Sequence, residues 1–133
     1  MDDFDEPDSP SLADLMSMPA ISVGPDASVA ELRLLAEEHR IHHFPIMEDG
    51  RLLGLVCVSD LAQEDPDRRV ISKAWRHVVT APPPSSAGDA ARLMRLHGVS
   101  SVVVADDQGV WGIVTREDLL EADPSLERLL EGA

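Results

Sequence analysis

Tyrosine is absent from the 133 residues, and phenylalanine and tryptophan occur only twice each. With 44% hydrophobic residues but 3% aromatics, the interior must be filled by Val, Leu, Ile, Ala and Met through many aliphatic contacts. Cysteine occurs once, at Cys57, which excludes an internal disulfide and a cysteine-rich zinc site. Its place inside an apolar run predicts a small buried hydrophobe. Basic residues are scarce: 11 Lys and Arg against 25 Asp and Glu leave a formal charge of −14. Sequence-independent binding to nucleic acid draws its affinity from Lys and Arg on phosphates, so that class is excluded, and an anionic membrane surface is disfavoured for the same reason. No apolar run approaches the roughly 18 residues of a membrane helix, and the first residues lack the basic and then apolar pattern of a signal peptide. A cytoplasmic location is the expectation. Glycine-rich phosphate loops, activated nucleophiles and metal-ligand clusters are missing too, which points away from an enzyme.

What the chain does have is a phrase written twice. An offset of 58 residues aligns "GLVCVSDL" from Gly54 with "GIVTREDLL" from Gly112, pairing Val56 with Val114, Asp60 with Asp118 and Leu61 with Leu119. The register continues upstream through Pro25 and Pro83, Ser28 and Ser86, His39 and His97, with one compensated shift around Gly50 and Gly109. The predicted division is an acidic, disordered tail over 1–10, repeat one over 11–61, a polar connection over 62–72, repeat two over 73–120 and a helical tail over 121–133.

Within each copy the pattern is the same. Ser28 with Glu31, and Ser86 with Asp89, have the form of capping boxes, each followed by apolar residues at helical spacing, and Gly98 supplies a stop for the second helix. Two apolar runs then flank a turn, at Asp49-Gly50 in one copy and Gly109 in the other, and read as hairpins. A shorter apolar piece precedes each helix, and a short helix starting near Ser59 or Thr115 closes the unit. The fold class is therefore α/β (α+β), two β-α-β-β-α repeats of approximate two-fold symmetry packed sheet to sheet, because one three-stranded unit is too small to bury its own faces.

"HHFPIMEDGRLLGLVCVSDLA" and "GVSSVVVADDQGVWGIVTREDLL" resemble the tandem cystathionine-β-synthase domain pair, the CBS pair or Bateman module, over about 110 residues. The resemblance implies a regulatory, energy-sensing role without chemistry, a homodimer, and clefts that take an adenosine-containing ligand. It also implies a separate regulated protein as partner and no obligatory cofactor beyond the adenine nucleotide itself. The acidic residue of the phrase would accept from ribose hydroxyls and the hydroxyl three residues earlier would help hold phosphate. The second site is then Val79, Thr80, Ala81, Ser101, Val103, Thr115, Arg116 and Asp118. The first is Ile21, Ser22, Val23, His43, Pro45, Cys57 and Asp60, and here a weakly hydrogen-bonding thiol stands where the second site has Thr115. Unequal sites follow. The rival reading is a ligand-independent dimerising adaptor whose clefts are degenerate.

Plainer readings stand beside these. Thr115-x-x-Asp118 is also an ordinary helix cap, worth on the order of 1 kcal/mol, and Ser59 reads as the cap of a helix beginning at Asp60. His39, His42 and His43 have a metal-ligand spacing only if they share one helix, and Pro45 argues against that. Arg68, Arg69, Lys73 and Arg76 form either a solvated face or a basic rim that offsets the acidic field, and Trp75 and Trp111 read as core or dimer-interface residues.

Overall fold

A computed structural model describes residues 10–18 and 20–131, so the acidic tail lies outside the described residues but for Pro10. In chain order the elements are α1 (Leu12–Leu15), α2 (Val29–His39), β1 (His43–Glu48), β2 (Arg51–Cys57), 3-10 turns at Val58–Leu61 and Val70–Lys73, and β3 (Thr80–Ala81). Then follow α3 (Ala87–His97), β4 (Ser101–Asp106), β5 (Gly109–Thr115), α4 (Arg116–Ala122), a 3-10 turn at Pro124–Leu126 and α5 (Glu127–Leu130). The mixed class and the repeated helix-hairpin order are those expected. Two compact units result: Ile21–Val78, and Val79 onward together with the N-terminal chain up to Ala20.

In the first-repeat unit, the Ser28 hydroxyl accepts from the Glu31 N–H at 3.1 Å and starts α2, although only this half of the expected capping box forms. The helix ends at Arg40, which takes the left-handed conformation (φ 56°) that glycine usually occupies. Asp49 (φ 51°) and Gly50 (φ 76°) then turn β1 back onto β2, a pair of positive φ values that suits a two-residue hairpin. Alternation along the strands sends Phe44, Ile46 and Val56 into one core with Val29 and Leu32 of α2. The expected third strand is reduced to a single parallel bridge, Val23 to Ile46, because only Val23 of that piece meets β1.

The second-repeat unit follows the same plan more fully. Ser86 and Asp89 close a reciprocal cap (Asp89 N–H to Ser86 Oγ 3.0 Å, Ser86 N–H to Asp89 Oδ2 3.4 Å), and Gly98 ends α3 at φ 65°. Its small residues Ala87, Ala90 and Ala91 lie against a three-stranded sheet, order β3-β4-β5, where β3 runs parallel to β4 and β4 antiparallel to β5. Leu126 and Leu130 of the C-terminal turns complete this core.

The units are not the repeats themselves, because each copy's leading segment packs on the strands of the other. Ser17 pairs with Ile113 of β5, and Trp75, 58 residues later, pairs with Leu55 of β2. Leu12 and Val70, again 58 apart, are both fully buried, one in each core. The connection over 62–72 is thus built in: the Val70 N–H donates to the Ala27 carbonyl at 2.9 Å, and the Arg33 guanidinium donates to the carbonyls of Leu61 and Glu64. The crossing segments also explain the glycine that leads each repeated phrase. A Cβ on Gly54 would lie 2.9 Å from the Trp75 carbonyl oxygen, and one on Gly112 would lie 2.7 Å from that of Ser17. No helix among the described residues is long and apolar enough to cross a membrane.

Candidate functional site

The second-repeat residues gather at one end of the three-stranded sheet. Thr80 is the register partner of Val103, and Ser101 of Thr115. Val102 and Val104 point into the core under α3, so alternation turns Ser101 and Val103 to the opposite face, and their partners Thr115 and Thr80 with them. That face therefore carries three hydroxyls. Val79 and Ala81 point the other way, into the core, and can offer only backbone groups; the Val79 carbonyl already accepts from the Val103 N–H at 2.9 Å.

Thr115 ends β5 and caps α4. Its hydroxyl accepts from the Asp118 N–H at 3.3 Å while the Asp118 carboxylate accepts from the Thr115 N–H at 2.9 Å. The plain reading of Thr115-x-x-Asp118 as a cap is thus correct, and it does not exclude the other. An ionised carboxylate has about four acceptor positions and the cap uses one; the threonine O–H still has its proton to donate. Both side chains are half-buried, fixed in place and within reach of solvent. Arg116 is less available: its N–H donates to the Ser100 carbonyl at 2.9 Å and its guanidinium to the Leu130 carbonyl at 3.3 Å, which ties the expected cation to α5.

The first-repeat residues are brought to the matching place with different chemistry. His43 lies opposite Cys57, and Pro45 opposite Leu55, all on the strand face away from Phe44 and Ile46. Val23 is bound through its backbone to Pro45 and Met47, with Ile21 packed at the core edge and Ser22 exposed. Cys57 is half-buried rather than buried, and its Sγ lies 3.0 Å from Ser59 Oγ. No side chain caps the following turn, which is 3-10, so the predicted helix and the Ser59 cap are both corrected: a thiol is a poor acceptor for the N–H groups that Thr115 satisfies. Asp60 is exposed and accepts from the Trp75 indole N–H at 3.2 Å.

That contact, like the Arg116 bond to Leu130, is one that sequence reasoning missed. Trp75 is 62% exposed and Trp111 45%, so neither is a core residue; Trp111 donates to Asp106 at 2.8 Å. At the 58-residue offset Trp75 is the counterpart of Ser17, but that the two segments cross onto the other repeat's strands is visible only in the structure. α2 ends at His39 and His43 opens β1, so the three histidines share no helix face, and no group of three or more potential metal ligands forms among the described residues. The basic run is largely paired: Arg68 and Lys73 with Glu64 at 3.4 and 2.8 Å, Arg69 with Asp26 at 3.1 Å. The Lys73 ammonium, with Arg68 and Arg33 nearby, holds the Glu64 carboxyl below its usual range. An open groove of about 360 Å³ borders Thr80 and Ala81 and runs along α3 past Ser85, Arg92, Leu93 and Leu96; its lining includes neither Thr115 nor Asp118.

Two helix-hairpin repeats, exchanging their leading segments and presenting polar groups at the end of each hairpin, define a tandem β-α-β-β-α module. The chain belongs to the CBS domain family, which matches it twice, over residues 12–67 and 70–125. The CBS domain pair of protein MJ0100, solved in complex with 5′-methylthioadenosine and S-adenosyl-L-methionine, is similar with a TM-score of 0.75 and 28% identity, covering 88% of this chain and 98% of that one. The CBS domain-containing protein YhcV of Bacillus subtilis is 27% identical over 115 residues, 82% of each chain. The L-aspartate semialdehyde sulfurtransferase of Methanocaldococcus jannaschii is 32% identical over 110 residues, 80% of this chain. The chain spans only 22% to 44% of the lengths of three relatives from Methanocaldococcus jannaschii, the sulfurtransferase among them.

Proposed function

We propose that the chain is a regulatory module without chemistry of its own, which binds an adenosine-containing ligand at the second-repeat site and passes a conformational or oligomeric change to a partner protein. The observation that carries this reading is the Thr115–Asp118 pair, preorganised by its own reciprocal hydrogen bonds and flanked on one sheet face by Ser101 and Thr80. Asp118 would accept from the ribose hydroxyls, and the backbone of Val79–Ala81 would read the adenine edge. The adenosine-type ligands of the MJ0100 pair support the ligand class.

The charge balance bears on which ligand. At −14 the chain repels a polyphosphate, and Arg116, the cation nearest Asp118 in sequence, is committed to the Leu130 carbonyl. An uncharged or cationic ligand such as 5′-methylthioadenosine or S-adenosylmethionine is therefore favoured over ATP. The first-repeat site, with Cys57 in the hydroxyl position and Asp60 held by Trp75, is the weaker one, and it supports the adaptor reading for that half of the molecule. The assembled state in this reading is a homodimer.

Calorimetric titration with AMP, ADP, ATP, S-adenosylmethionine and 5′-methylthioadenosine tests it. One ligand per chain is expected, with Asp118→Ala weakening binding by about tenfold to a hundredfold, as for a hydrogen bond to a charged group, and Asp60→Ala leaving it unchanged. No binding of any of the five at millimolar concentration, or equal loss with both variants, overturns it.

A further inference from the structure

In an antiparallel pair, residues directly opposite one another send their side chains to the same face. β1 and β2 set His43 opposite Cys57 and Pro45 opposite Leu55, on the face away from Phe44 and Ile46. Trp75 then pairs with Leu55 through two backbone bonds, its N–H to the Leu55 carbonyl at 2.8 Å and the Leu55 N–H to its carbonyl at 3.0 Å. The Trp75 side chain therefore joins the face of the first-repeat site, and its indole N–H reaches the Asp60 carboxylate at 3.2 Å. All of these residues lie in the one compact unit Ile21–Val78. The equivalent row of the second-repeat unit is Val103, Ile113 and Ser17, so the place of the indole is taken there by a hydroxymethyl group. The other tryptophan does not replace it: Trp111 donates to Asp106, at the turn end of the β4–β5 hairpin, whereas Thr115 lies opposite Ser101 at the other end.

We propose that Trp75 closes the first-repeat site by standing in for its ligand, the indole N–H donating to Asp60 where a ribose hydroxyl would donate. The inference rests on the ligand reading above and deepens it by naming the residue that sets how many adenosine-type ligands a chain takes. An indole is a bicyclic ring with a donor and no acceptor, so a carboxylate is its natural partner and the ring covers the face beside it. Exchange of Thr for Cys57 removes one hydrogen-bonding group, but the indole takes both the acid and the space. A site that is open only part of the time has its apparent affinity reduced by that fraction. At 62% exposure Trp75 is held to the strand by its backbone pair with Leu55, which a change of side chain leaves in place.

Calorimetric titration with 5′-methylthioadenosine and S-adenosylmethionine tests the proposal on the whole chain. Wild type, Cys57→Thr and Trp111→Phe are expected to take one ligand, and Trp75→Ser two, with affinity at the first-repeat site raised by about tenfold or more. Adding Asp60→Ala to Trp75→Ser should abolish the second binding event. Trp75→Phe keeps a ring and loses only the N–H, so it should gain the same event more weakly with folding preserved by circular dichroism. One ligand per chain in both Trp75 variants, or a second ligand gained by Cys57→Thr alone, overturns the closure by Trp75 and leaves the ligand reading standing. A ligand that binds only the Trp75 variants and ignores Asp118→Ala supports the closure and overturns the second-repeat assignment. No binding to any chain overturns both.

Discussion

Thr115 and Cys57 occupy the same place in the two repeats, and the exchange of a hydroxyl and a methyl for a thiol propagates. Where the hydroxyl is present, it takes the Asp118 N–H, the carboxylate returns the bond, and α4 runs for seven residues. Where the thiol stands, the N–H groups find no side-chain acceptor, the turn tightens to four 3-10 residues, and the carboxylate of Asp60 is left for the Trp75 indole. The crossing segments reinforce the contrast, since Trp75 reaches across to Asp60 from a position that Ser17 fills in the other unit. A duplicated frame thus keeps its packing while its two polar ends diverge.

The largest expected break in the shared frame lies at the glycines under the crossing segments. A Cβ at Gly112 meets the Ser17 carbonyl oxygen at 2.7 Å and Met16 Sδ at 2.8 Å, whereas at Gly54 the Trp75 oxygen lies at 2.9 Å and the Ala74 Cβ at 3.2 Å. The backbone oxygens cannot move without breaking the Ser17–Ile113 and Trp75–Leu55 pairs. Gly112→Ala is therefore expected to destabilise by about 2–3 kcal/mol and Gly54→Ala by about 1–2 kcal/mol, as overpacking does, in urea unfolding monitored by circular dichroism. Equal or negligible losses would mean that the segments lie loosely on the strands.

These crossing contacts mark where the sequence stopped being informative. Helices, hairpins and the fold class were legible because each rests on local patterning: Ser28 and Ser86 before apolar stripes, Asp49-Gly50 and Gly109 between apolar runs. The exchange of segments was not, because it joins residues as distant as Ser17 and Ile113 and leaves no periodicity to read. Val70 sat in a stretch that reads as a polar linker, yet it is as buried as Leu12, its counterpart at the same offset. At the candidate site the capping pair was visible in the sequence, while the loss of Asp60 to Trp75 and of Arg116 to Leu130 needed three dimensions.

A smaller contrast separates the helix ends. Both α2 and α3 stop in the left-handed region, at Arg40 with φ 56° and at Gly98 with φ 65°, but only glycine avoids the clash of Cβ with the carbonyl there. Gly98→Ala should cost about 0.5–1 kcal/mol and Arg40→Gly should raise stability by about the same, each being the left-handed strain less the freedom glycine has in the unfolded chain. Thermal unfolding of the pair checks it. If both substitutions destabilise, the Arg40 side chain makes a contribution that outweighs its backbone.

The smallest difference is one of pH, at the helix starts. Burial works against the charge of Asp89, but the Arg92 guanidinium at 2.6 Å and the Ser86 N–H and hydroxyl outweigh it and hold the carboxyl below its ordinary range. A carboxyl lowered in the folded state contributes stability that is complete above its unfolded pKa and disappears as pH falls through the folded one. Asp89→Asn should thus lower Tm near neutral pH, by roughly 1–2 °C for a side chain this exposed, and the gap should close below about pH 4. Glu31 sits at the same helix position in the first repeat without closing the cap, so Glu31→Gln removes the same charge and breaks no reciprocal bond. A gap for Asp89→Asn that stays constant from neutral to acid pH would assign its effect to lost hydrogen-bond geometry instead of to the ionised cap.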